Sequence, residues 1–119
     1  MRGEGLRELR EVQSDDWATF YVVTDNHCYE YTGQSFIASP LPATAATLEL
    51  PSDYAGTTIE DVRGDGESAV LRLDNGGLIV FELGHDPFGG QVESYPRVRF
   101  VSRDEAKTWQ SEYDDMDSI

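Results

Sequence analysis

Cysteine and lysine each occur once in the 119 residues, histidine occurs twice, and only nine side chains are basic. The lone Cys28 excludes an internal disulfide framework and fits a reducing compartment. His27 and His85 stand at no metal-ligand spacing from Cys28 or from each other, so no structural zinc site and no cofactor are expected. Nor can His27 and Cys28 pair as neighbours in a strand, because successive side chains point to opposite faces. No stretch approaches the ~20 apolar residues of a membrane-crossing helix. Met1-Arg2-Gly3-Glu4-Gly5 leads into a charged segment without a signal-peptide core, and a cytoplasmic protein is expected. The glycine pairs Gly76-Gly77 and Gly89-Gly90 lack the Lys and Ser/Thr of a phosphate-binding loop, and no Gly-x-Ser-x-Gly elbow occurs. Neither nucleotide binding nor nucleophilic catalysis has a motif to stand on, and the expectation is a chain that is not an enzyme.

What is abundant is acid. Twenty-three Asp and Glu give a formal net charge of -14, spread from Glu4 to Asp117. Such a field repels phosphate backbones and anionic membranes, so neither direct nucleic-acid binding nor membrane binding is expected, and it accelerates encounter with cationic proteins. Apolar residues make up 39% and aromatics 11%, enough to build a core, and the length suits one domain over residues 1–119.

Trp17 to Val23 is dense in aromatic and β-branched residues and reads as a strand, with Asp25-Asn26 turning it into a second at His27 to Tyr31. Leu6 and Leu9 are three apart, leaving segment 6–12 open between helix and strand. Residues 32–46 read as a long loop rich in Gly, Ser, Ala and Pro, with a short strand at Thr47 to Leu50. A second β region starts at Thr57, and Ala69 to Leu73 and Leu78 to Leu83 flank Asp74-Asn75-Gly76-Gly77 as the clearest hairpin signal. Gln91 to Val101 supplies a last strand by alternation. Ser102-Arg103-Asp104-Glu105 has the form of a helix-starting capping box, with Ala106 to Tyr113 following as helix and Trp109 turned to the sheet. The acidic tail 114–119 is expected to fray, and the two hairpins show no common residue pattern. The expected fold is α+β, a mainly antiparallel sheet of about five to seven strands with the C-terminal helix packed on it.

Charge, size and missing motifs point to an acidic protein-binding module that neutralises a basic partner, as an immunity protein does for a toxin or nuclease, or a phage inhibitor does by mimicking nucleic acid. Its candidate surface comprises Tyr29, Tyr31, Phe88, Tyr95 and Tyr113 as aromatic anchors, with Glu30, Asp86, Glu93, Glu112, Asp114 and Asp115 as nearby acids. The competing reading is a small-molecule-binding or enzymatic α+β domain with a loop site around His85 and Asp86. The carboxylates of Asp61, Asp65, Glu67 and Asp74 cluster near two turns but match no calcium-loop spacing, and Asp65-Gly66 and Asp74-Asn75-Gly76-Gly77 read as turn residues.

Overall fold

The computed structural model describes residues 1–14, 17–33, 35–65, 68–85 and 94–119, with the backbone alone described at 83–85 and 94–95. Its described strands form two five-stranded sheets in which every pairing is antiparallel. The first sheet contains β1 (Leu6–Gln13), β2 (Ala18–Thr24), β3 (Cys28–Tyr31), β4 (Phe36–Ala38) and β5 (Ala46–Leu48), in the order β4-β3-β2-β1-β5. The second contains β6 (Ile59–Gly64), β7 (Ser68–Leu73), β8 (Leu78–His85), β9 (Ser94–Val101) and β10 (Asp117–Ser118), in the order β10-β6-β7-β8-β9. The α+β class holds, but ten strands in two sheets replace the five to seven expected. β4 and β10, of three and two residues, are not among those expected, since elements so short leave no periodicity to read, and the short strand expected at Thr47 to Leu50 stands as β5. β4 and the start of β5 lie inside the stretch read as a loop over 32–46.

The two sheets share one plan. In each, four strands meander and the fifth crosses back to the free edge of the first. Each first strand carries a bulge at its second residue, between Leu6 and Glu8 in β1 and between Ile59 and Asp61 in β6. Each second hairpin turns on Asp-Asn, with Asp25 N–H donating to Gly5 C=O and Asp74 N–H to Thr58 C=O. The bulge settles the ambiguity of segment 6–12. One inserted residue lets Leu6 and Leu9, three apart, face the same side of a strand, and does the same for Ile59 and Val62.

Period-two alternation then builds the core. Leu9, Phe20, Val22 and Tyr31 from the first sheet meet Leu71, Leu73, Ile79 and Phe81 from the second, all buried. Phe81 sits at the centre of this layer, its ring 5.1 Å from Phe36, 5.3 Å from Tyr31 and 6.3 Å from Phe20. The other face of the second sheet presents Val70, Leu78, Val80 and Val101, and the segment after β9 covers it with Tyr113, Trp109, Ala106 and Met116. Three layers result, two sheets and one helical strap.

That strap is not the continuous helix expected over 106–113. It runs as α1 (Arg103–Ala106), a 3-10 turn (Lys107–Trp109) and α2 (Gln110–Asp114). At the turn the Thr108 hydroxyl donates to Glu105 C=O at 2.7 Å, a local bond that competes with regular helix. Ser102 does cap α1, its Oγ accepting from Glu105 N–H at 3.3 Å. Ser102→Ala is expected to lower stability by about 0.5–1 kcal/mol, read as a shifted urea midpoint at constant slope. An unmoved midpoint would show that the cap contributes nothing. Trp109 packs against the second cluster with the Arg99 guanidinium 4.4 Å from its ring centroid.

The tail does not fray. Asp117 and Ser118 pair with Gly64 and Arg63, and Ile119 N–H donates to Val62 C=O at 3.0 Å. Arg2 fastens it further, donating to Asp61, to Val62 C=O, to Ser118 Oγ and to Ile119 C=O at 2.8–3.0 Å.

Candidate functional site

The structure divides the residues named from sequence among three places. Tyr31 and Tyr113 are 5% and 3% exposed and belong to the two core layers, which removes both rings from the candidate surface. The reason is alternation: Tyr31 continues the inward row of Phe20, and Tyr113 lies on the strap side turned to Val70 and Val80. Tyr29 is half-buried, donating its hydroxyl to both Glu4 carboxylate oxygens at 2.7 and 2.9 Å. Glu30 stands on the outer face of the first sheet and accepts from the Tyr21 hydroxyl at 3.2 Å. Glu112, Asp114 and Asp115 are exposed on the strap, beyond the second sheet and with the core between them and Glu30. The candidate residues therefore do not form one surface. Asp86, Phe88 and Glu93 lie outside the described residues, as do the side chains of Tyr95 and His85.

What the fold does concentrate is charge on the strap. Asp104, Glu105, Glu112, Asp114, Asp115 and Asp117 are all exposed along it, and exposed Asp65 follows Gly64, the partner of Asp117. Two of the strap acids have cations only at long range: Lys107 Nζ is 4.0 Å from Asp104 and Arg63 Nη1 is 3.9 Å from Asp114. Surface pairs at such separations neutralise little of the field.

Two other carboxylates have turned inward and serve the fold. Asp61 accepts from Arg2 at 3.0 Å, Arg63 at 2.9 Å, the Tyr113 hydroxyl at 2.9 Å and Val62 N–H at 2.9 Å. Burial pushes its carboxyl up, but the bonds from Tyr113, Arg2, Arg63 and Val62 outweigh that and hold it at about 2. Glu4 accepts from Tyr29 and Thr24 and lies 2.8 Å from His27 Nδ1. Burial again raises its carboxyl, and the bonds from His27 and Tyr29 overcome this to leave it at about 2. Tyr29 and Tyr113, burdened first by burial and then by the adjacent carboxylate, rise to about 12. Asp61 is thus a packing node within β6. The signal for it was the bulge spacing of Ile59 and Val62, which leaves Asp61 on the strap side of β6.

Among the described residues no group of three or more His, Cys, Asp or Glu is placed to hold a metal ion, and no helix is long and apolar enough to cross a membrane. No protein-family model, no curated protein and no solved structure matches the chain.

Proposed function

We propose that the chain is a binding module for a basic protein and neutralises that partner by covering its cationic surface, with the acidic strap as the contact face. The observation that carries this reading is the run of six exposed carboxylates between Asp104 and Asp117, on a segment held to the sheet by Tyr113, Trp109 and Met116. A rigid row of charges steers encounter and loses little conformational freedom when paired. A toxin or nuclease domain, whose working surface is cationic, is the kind of partner that suits it.

The test is capture from a lysate of the source organism at low salt, with the partner eluted by salt. Neutralising the strap (Asp104→Asn, Glu112→Gln, Asp114→Asn, Asp115→Asn) is expected to abolish capture of a specific basic protein. The same number of charges removed elsewhere (Glu11→Gln, Asp25→Asn, Glu49→Gln, Asp53→Asn) should leave it in place. Equal loss in both variants would reduce the effect to net charge, and unaltered capture by the strap variant would refute the assignment.

A further inference from the structure

Three of the nine basic side chains of this acidic chain converge on one pocket of about 200 Å³. Arg72 reaches it from β7, and Arg103 and Lys107 from the strap, while Leu78, Ala106 and the Tyr113 ring form apolar walls. The turn at Gly76 makes room for this. Its φ of 86° is left-handed, and a Cβ there would lie 3.0 Å from Arg103 Cγ.

The three cations are loosely held. Arg103 has no carboxylate partner among the described residues. Arg72 Nε lies 3.4 Å from Glu60 Oε2, yet it is buried and makes no hydrogen bond; the guanidinium carbon rests 5.4 Å from the Tyr113 ring centroid. Lys107 has only Asp104, at 4.0 Å, with both side chains exposed. Pairs of this kind contribute little and give way to a stronger anion.

We propose that this pocket binds the phosphoryl group of a compact phosphate monoester. Guanidinium forks match phosphate oxygens in geometry, and a dianion uses several cations where a carboxylate would use one. The volume falls below the roughly 300 Å³ at which pockets for larger ligands begin, which suits a compact group better than a nucleotide. The apolar walls then take a small apolar carrier, stacked toward Tyr113. Lys107 and Gln110 of this pocket lie 4.0 Å from Asp104 and 2.9 Å from Asp114 of the acidic face, but uptake of a small anion does not depend on that face capturing a protein, so the two assignments are tested separately.

Phenyl phosphate, titrated into the full chain in about 0.15 M salt to screen the overall negative field, tests this by amide chemical shifts. Saturable shifts confined to residues 72, 76–78, 103–110 and 113 are expected. The double change Arg103→Gln with Lys107→Gln should weaken binding at least about tenfold. Lys107→Arg and the distant Arg10→Gln should retain it, and spectra unchanged elsewhere verify folding. A phosphotyrosine tetrapeptide forms a second arm: binding as tight as phenyl phosphate assigns the monoester to a partner's side chain, and exclusion of the peptide assigns it to a free small molecule. Absence of saturable shifts with both probes overturns the proposal, as does undiminished affinity in the double variant. Inorganic phosphate binding as tightly as phenyl phosphate overturns the role of the apolar walls.

Discussion

Phe81→Ala is expected to destabilise the chain by about 3–5 kcal/mol, a large part of the ~5–15 kcal/mol that holds a domain of this size folded. The ring is fully buried between the sheets and touches rings from β2, β3 and β4, so its removal leaves a void lined by Phe20, Tyr31 and Phe36. Those rings belong to strands fixed by their own ladders and cannot collapse far into the space. Urea unfolding measures the loss. Ile37→Ala provides the comparison, because Ile37 is 49% exposed on the outer face of β4 and its removal is expected to cost no more than about 0.5 kcal/mol. A loss below about 1 kcal/mol at Phe81 would mean that the two sheets do not share this core.

Acid is expected to act nearly as strongly. Glu4 and Asp61 both sit at about 2 in the folded chain, against ordinary values of 4.5 and 3.8. A carboxyl depressed on folding adds stability that is fully present above its unfolded value and is lost as pH falls through the folded one. The window therefore runs from just above pH 4 down to about 2, and the two groups together account for about 5 kcal/mol across it. Relief of self-repulsion among the other acids works in the opposite direction as their charge is removed, which places the stability maximum near the top of this window. Urea midpoints taken from pH 6 to pH 2 follow the decline. The double variant Glu4→Gln with Asp61→Asn should be less stable at pH 6 and markedly flatter toward pH 2. A parallel decline in the variant would show that other groups carry the acid response.

Much of the local structure was legible. The hairpins around Asp25-Asn26 and Asn75-Gly76 follow from β-rich runs flanking turn residues, and Ser102 announced the start of α1. Segment 6–12 misled because a bulge gives a strand the three-residue spacing of a helix. Division into two sheets was not legible, since alternation shows which residues share a face and not which face meets which. The shared plan of the halves was hidden for a related reason. It resides in strand order, in paired bulges and in two Asp-Asn turns, while equivalent core positions hold different apolar residues, such as Phe20 and Ala69 opposite Tyr31 and Phe81. For the candidate surface, composition disclosed an excess of acid, but only the fold separates carboxylates that face outward on the strap from Glu4 and Asp61. Arg72, Arg103 and Lys107 come from two separate elements, β7 and the strap, and nothing in their spacing foretold a common pocket.

The returning fifth strand of each sheet also governs how the chain acquires its structure. β5 reaches β1 only after three intervening strands have formed or been bypassed, and β10 reaches β6 only after the entire strap has been laid down. Each closure spends the entropy of a long loop before any ladder bond rewards it, which places the chain among the slower folders. The bonds from Arg2 to Ser118 and Ile119 span nearly the whole sequence and are for that reason expected among the latest contacts made. Interactions formed that late restrain unfolding far more than they hasten folding, so the clasp acts as a brake on opening, holding the strap in place for as long as it lasts.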